Sequence, residues 1–415
     1  MMREDWIEVE LGDMLDYIQP SKYIVESTEY SDNYKTPVLT AGKSFIIGYT
    51  NETENIFNDV PVIIFDDFTT ATQFVNFHFK VKSSAMKILK PTSDLVNIRY
   101  VFYFMKTIRQ NTDTHKRYWI SIFSKIKIPI APLPEQRAIA AKIEQLLSEL
   151  DNGIANLKAA KSKLEIYRQA ILKQAFEESI NSVCFNLSEI TNKIQIGPFG
   201  SQLHKEDYVE GGIPLINPMH IQDGQIYPSS SYSITIQKRD SLPNYILLKD
   251  DVIMGRRGEM GRCGLITKKE EGWFCGTGSL YLRPIKQKVY PVFLYYYLRS
   301  PIIKELLTGK ATGTTMTNLN KTIISALPIN LPSIEEQAQI VQEIQTRLSV
   351  CDKLNESIDQ SLEKAQALRQ SILKKAFKGK LLSEDELQNC RQQSDWETAA
   401  KLLERVKKDS KTKKS

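Results

Sequence analysis

The chain has 415 residues, 41% hydrophobic and 25% charged, which fits a folded protein of two or three domains. No apolar run approaches the roughly 20 residues of a membrane span, and the opening MMREDWIEVELGDM lacks the apolar core of a secretory signal, so a cytoplasmic location with no membrane partner is expected. Five scattered cysteines without a CxxC pair and four histidines speak against a disulfide framework or a zinc site, and the net charge of +6 is a weak pointer to nucleic acid.

Residues 1–131 carry β-branched and aromatic runs (TPVLTAG, FIIGYT, VPVIIF, FHFKVK), which predict an α/β or mostly-β globule with one helical stretch over 97–107. At 128–136, IPIAPLPEQ is a proline-punctuated strand-to-helix connection, with Pro134 placed to open the helix. Residues 132–177 then read as one long helix. Ile139, Ile143, Leu146, Leu150, Gly153, Leu157, Ala160, Leu164, Tyr167 and Ile171 recur at alternating steps of four and three. Residues 178–331 return to the first pattern, with GGIPLI, DVIMGRRG, CGLIT and SLYLRP as strands and a helical stretch over 291–308. A second connection, LPINLPSIEEQ, opens a second long helix over 332–378, whose stripe runs from Ile340 through Ile344, Leu348, Cys351, Leu354, Ile358, Leu362, Ala365 and Leu368 to Ile372. In the last segment, 379–415, SEDE has capping-box spacing and begins a further helix over 387–406, while KKDSKTKKS reads as a frayed basic tail.

The two long helices are copies. Residues 135–176 and 336–377 align without a gap at an offset of 201, with 15 of 42 positions identical and RQxILKxAF the densest block. An amphipathic helix of roughly 60 Å, at 1.5 Å per residue, cannot bury its stripe on a small globule and needs a partner helix. That partner could be an unrelated element, but equal length and shared pattern suit pairing of the two copies. The expected fold is α+β: two globular domains alternating with two long helices that pair as an antiparallel coiled coil.

Globules of different sequence alternating with two similar helices resemble the specificity subunits of type I restriction-modification enzymes, over essentially the whole chain. In the first globule the resemblance is carried by WIEVELGDMLDYI, PVLTAGKSFIIGYTNE and PVIIFDDFTTATQFVNFHFKVKSSAMKIL. In the second, IGPFGSQLHKEDYVEGGIPLINPMHIQDGQI and LLKDDVIMGRRGEMGRCGLIT look like parts of a target-recognition domain, and GTTMTNLNKTIISALPINLPSIEEQAQIV resembles the exit from one into its helix. The resemblance implies that the globules are target-recognition domains reading the two halves of a split, asymmetric target in double-stranded DNA. It also implies that the helices are a spacer and a docking surface for two methylation subunits. S-adenosylmethionine, ATP and magnesium would then belong to partner subunits, including two ATP-dependent restriction subunits, with none bound by this chain.

Catalytic motifs are missing. Asn217-Pro218-Met219-His220 lacks the second proline and the aromatic of an amino-methyltransferase motif and reads as a turn. No P-loop is present, and GRRGEMGRCG has arginines where a cofactor loop needs small residues and no helix signal behind it. Asp66 and Asp67 have no nearby Glu-x-Lys to complete a nuclease site, and read as turn caps or, less often, as acceptors for a cytosine amino group. What remains suits DNA. Arg256, Arg257 and Arg262 lie on a glycine-rich loop, able to grip phosphates or pair with guanine. Lys310, Thr312, Thr314 and Thr315 form a hydroxyl-rich tract suited to phosphates. Ser201, Gln202 and Lys205 fall in the string that resembles the opening of a recognition domain. In the first globule the candidates are Lys43, Tyr49, Asn51, Thr69, Thr70, Thr72, Gln73, Lys80, Lys82, Ser83, Ser84, Lys116 and Arg117, with buried strand packing as the competing account for aromatics among them. The expected function is therefore DNA reading and scaffolding without catalysis. The alternatives are a coiled-coil adaptor without DNA readout, or a self-sufficient methyltransferase or nuclease.

Overall fold

The computed structural model describes residues 3–40, 44–108, 117–177, 182–258, 261–310 and 319–414. Two compact units emerge, Met1–Leu157 with Gln360–Ser415, and Lys158–Asp359, so each takes one globule and part of each long helix.

The first globule is built on an antiparallel sheet in the order Leu15–Ile18, Met86–Pro91, Val62–Asp66, Thr72–Val75. Its central strand is a continuous apolar run because both faces are covered: Ile63 and Phe65 enter one core cluster, Val62 and Ile64 another. A smaller sheet pairs Ile46–Thr50 with Thr36–Leu39 antiparallel and Thr36–Leu39 with Lys80–Val81 parallel. The helix Ile98–Met105 follows, capped by the Asn97 side chain, which accepts from Tyr100 N–H at 3.0 Å.

The second globule repeats this plan with other residues. Its main sheet runs Thr191–Ile196, Ser279–Pro284, Val252–Gly255, Cys263–Leu265, again antiparallel. The central strand again divides its side chains, Val252 and Met254 to one cluster and Ile253 to another. A parallel pair, Ile213–Ile216 with Phe274–Cys275, matches that of the first globule. The helical stretch expected over 291–308 is two helices, Pro291–Arg299 and Pro301–Lys310, because Ser300, preceding a proline, is driven to ψ 153°.

The long helices span Leu133–Glu177 and Ile334–Ala376 and pair antiparallel. In the second unit Lys161 meets Asp359 (2.6 Å) and Arg168 meets Asp352 (2.6 Å), while Arg347 donates to Gln174 (3.3 Å). In the first unit Arg369 pairs with Asp151. Asp151 and Asp352 are equivalent in the repeat, as are Arg168 and Arg369, so each copy's arginine reaches the other copy's aspartate. The rest of RQxILKxAF clamps helix to globule. Phe377 packs edge-on against Tyr100 and Phe104 (5.0 and 5.2 Å), and Phe176 against Phe293 and Tyr297 (5.1 and 5.3 Å).

The seam is not continuously buried, contrary to the periodicity. Ile139, Ile143, Ile171, Ile344, Cys351, Ala365 and Ile372 are buried, but Gly153, Ala160, Tyr167, Leu354 and Leu368 are exposed. Two helices cover only a narrow strip of one another, and burial is full where a globule adds a third layer. The C-terminal expectation also needs correction. Ser383 does form a reciprocal capping box with Glu386, but its helix is Glu384–Arg391, and a separate helix Ala399–Lys414 replaces the frayed tail. That helix folds because Leu402 and Val406 enter the first unit's core and Asp409 accepts from Ser93 Oγ at 2.8 Å.

Candidate nucleic-acid interface

Both central strands end in a hairpin, and the two hairpins carry opposite charge at the same place. In the first globule Asp66 ends the strand and its carboxylate accepts from the Phe68 and Thr69 amides (2.8 and 2.9 Å), fixing the turn. The next residue, Asp67, donates its N–H to Ala85 C=O (3.0 Å), and its own C=O accepts from Tyr118 N–H (3.1 Å). In the second globule Arg256 follows Gly255, donates its N–H to Gly278 C=O (3.0 Å) and accepts from Leu319 N–H (2.9 Å). The backbone bonds match one for one; an acid stands where the other globule has an arginine.

Around Asp67 the first globule forms a cleft walled by Gln19, Phe68, Ser83, Ser84, Lys87 and Arg117. Asp67 and Lys87 are both buried, with the ammonium 3.8 Å from the carboxylate and 5.2 Å from the Tyr17 ring centroid. Asp67 also accepts from Trp119 N–H at 2.8 Å, so its charge is met from two sides. Arg117, Ser83 and Ser84 are exposed at the rim, as is Phe68 at 45%.

In the second globule Arg256 is half-buried, its Nε donating to Leu319 C=O (3.2 Å), and burial together with the neighbouring Arg257 holds its guanidinium below the ordinary value. Arg257 is exposed, and Arg262 Nη1 donates to Pro218 C=O (3.3 Å). Gly258 and Gly261 have φ of 81° and 80°, a conformation that favours glycine. Asn217 to His220 is a turn, as expected. Asn217 Oδ1 accepts from Gly278 N–H (3.1 Å) and Asn217 N–H donates to His220 Nδ1 (3.1 Å).

Other candidates distribute unevenly. Lys82, Asn51, Thr69, Ser201 and Lys205 are exposed, and Tyr49, Thr70 and Gln73 are half-buried. Gln202 is exposed but accepts from Tyr245 Oη at 2.7 Å. Two expectations are corrected. Lys80 is buried and bound by Glu52 and the Glu54 carbonyl, so its charge is consumed inside the fold. Thr72 is buried on its strand, where its carbonyl accepts from Lys106. Lys43, Lys116, Thr312, Thr314 and Thr315 lie outside the described residues, as does the side chain of Lys310. Gln19, Phe68 and Lys87 are not among the residues that sequence reasoning picks out. A lysine inside the apolar strand MKILKP is the one available signal, but its partners stand 20 and 68 positions away. Among the described residues no cluster of acidic, histidine or cysteine side chains could hold a metal.

Known proteins carry the same signature. Residues 3–159 and 182–364 match the family described as the type I restriction modification DNA specificity domain. The specificity subunit of the type I enzyme EcoR124I/EcoR124II from Escherichia coli is 32% identical over 387 residues, covering 88% of this chain and 92% of that one. The MjaVIII specificity subunit from Methanocaldococcus jannaschii is 23% identical over 411 residues, covering 91% and 93%. Among solved structures, a chain of a type I restriction-modification assembly superposes with a TM-score of 0.70 at 18% identity, covering 92% of this chain and all of that one. The HsdS subunit from Thermoanaerobacter tengcongensis gives 0.55 at 19% identity, covering 92% and 98%. Two matched specificity domains and a relative this similar along its length establish that the chain belongs to the family of type I restriction-modification specificity subunits, whose role in these enzymes is not catalytic.

Proposed function

We propose that this chain reads a bipartite, asymmetric DNA target, one half-site per globule, and holds two methylation subunits and two ATP-dependent restriction subunits around it. The observation that carries this reading is the pair of equivalent hairpins. One fold presents Arg117 and the serines at the rim of a cleft in one globule and Arg256 with Arg257 in the other, so the two surfaces suit different base sequences. Methyl transfer with S-adenosylmethionine, and cleavage with ATP and magnesium, are assigned to the partners. The exposed Tyr167, Leu354 and Leu368 on the long helices supply apolar docking surface for them. A cytoplasmic location fits this role, and no described helix is long and apolar enough to cross a membrane.

The test is an exchange of residues 178–331 for the equivalent domain of another specificity subunit, followed by genome-wide mapping of methylated bases. One half of the target should change and the other should stay. Change in both halves, or in neither, would overturn the modular reading. Within the second half, Arg256→Ala should cost about 1–3 kcal/mol of binding and relax one position if it reads a base, or weaken all sequences alike and flatten the salt dependence if it holds a phosphate.

A further inference from the structure

We infer that Gln19 is a specificity-determining residue of the first globule, an amide locked by Lys87 so that it reads adenine in the first half-site. This rests on the DNA-reading assignment above. The position is the first reason. Gln19 is exposed in the cleft beside Asp67, the residue whose counterpart in the other globule is Arg256. If Arg256 faces a base edge in its half-site, the cleft that Gln19 lines with Asp67 faces the corresponding edge in the other.

The second reason is the orientation of the amide. A glutamine on a surface can usually turn its amide over, since either end finds a partner in water. Here the two ends are assigned. Lys87 Nζ, which can only donate, donates to Gln19 Oε1, and Gln19 Nε2 donates to Ser84 C=O, which can only accept, at 3.3 Å. Turning the amide over would set NH2 against an ammonium and oxygen against oxygen. Lys87 is itself held by Asp67 at 3.8 Å, and Asp67 by Trp119 N–H, so the lock is anchored in the core. It consumes one N–H and one lone pair of the amide and leaves one of each. That remaining donor and acceptor match the N7 acceptor and N6 amino donor that adenine shows in the major groove, whereas an arginine's donors match guanine. Lys87 and Asp67 are positioning residues; Gln19 makes the contact.

Gln19→Glu separates this from a structural role. The variant keeps an oxygen against Lys87 but presents only acceptors outward, which suit the amino group of cytosine. Mapping of methylated bases in cells whose only copy carries Gln19→Glu should show modification of the original target reduced about 10-fold or more. Sequences with cytosine at one position of the first half-site should gain, and the second half-site should stay unchanged. Gln19→Ala should relax that same position, and Lys87→Met should relax it through the freed amide. Because Lys87→Met leaves Asp67 buried alone and risks the fold, the two surface variants at Gln19 carry the decision. Wild-type methylation by both overturns the inference, as does a change in the second half-site. Uniform loss over all sequences shows a contact to the DNA backbone and overturns it too. If the unaltered chain directs methylation to no bipartite target at all, the DNA-reading assignment fails instead.

Discussion

The two units are held together in the same way and differ where they end. In each, the glutamine in the first turn of a long helix stitches the connection before it. Gln136 donates to Ala131 C=O (2.8 Å) and accepts from Asn97 N–H (3.3 Å); Gln337 donates to Pro332 C=O (3.0 Å) and accepts from Tyr290 N–H (2.8 Å). The preceding glutamate has diverged. Glu135 is buried and accepts from Trp6 Nε1 at 3.1 Å, whereas Glu336 is exposed and forms a capping box with Ser333. At the hairpin the divergence is complete, Asp67 against Arg256. Packing at the helices is demanding and keeps its residues; the position after the strand tolerates a reversal of charge because its own N–H and C=O make the same two backbone bonds whatever side chain it carries.

This contrast can be broken most sharply at the hairpin. Lys87→Met should cost about 3–5 kcal/mol by denaturant unfolding, because it strands a buried carboxylate, while Arg256→Met should cost far less, its guanidinium being half-exposed. Equal costs would mean that the two charges are embedded alike. The shared stitch makes a smaller prediction. Gln136→Ala and Gln337→Ala should each cost about 1–3 kcal/mol, since both leave buried backbone groups unpaired, and a cost confined to one of them would end the equivalence.

Glu135 gives a pH signature that its counterpart should lack. Burial raises its carboxyl above the ordinary value, only partly offset by the Trp6 hydrogen bond. The folded chain therefore holds this proton more tightly than the unfolded chain. Its contribution to stability is fully present below the ordinary carboxylate value and is lost as pH rises through the raised one. Glu135→Gln keeps an acceptor for Trp6 and should flatten the decline in melting temperature over this window; an unaltered pH profile would show that the group does not titrate differently on folding. Smallest of all, Arg369→Ala and Arg168→Ala should each cost about 0.2–1 kcal/mol, less in high salt, because both ion pairs are partly exposed.

The repeat makes the long helices legible in the sequence, and their contacts explain why. Asp151, Arg168 and Phe176 and their copies Asp352, Arg369 and Phe377 touch the other copy or a globule, so their identities could not drift independently. The order of globule, helix, globule, helix is readable for the same reason. The shared topology of the globules is not, since a strand needs only an apolar run and many runs serve. Nor is the cleft legible. Lys80 and Lys87 look alike in sequence, and what separates them is whether Glu52 or the pair Asp67 and Gln19 comes to meet them. Such partners lie far along the chain, where spacing carries no information. The seam is less buried than its periodicity suggests because a heptad pattern records which face is apolar and not how much of it this chain covers.

The final segment has a consequence for synthesis. Cys390 Sγ lies 3.7 Å from Pro134 C=O, Arg137 pairs with Asp395 (2.8 Å), Lys142 with Glu386 (3.0 Å), and Leu402 and Val406 complete the core that Trp6 begins. The unit that holds Trp6 thus depends on contacts such as Cys390 with Pro134, 256 positions apart in the chain, while Lys158–Asp359 is one uninterrupted stretch. Emergence runs from the N-terminus at about 5–20 residues per second. Lys158–Asp359 therefore has every contact of its unit available before the first globule does, because that globule waits for Leu402 and Val406. During that wait the chain exposes apolar surface at its older end, so its window for misassembly is set by the distance between Trp6 and Val406 along the message.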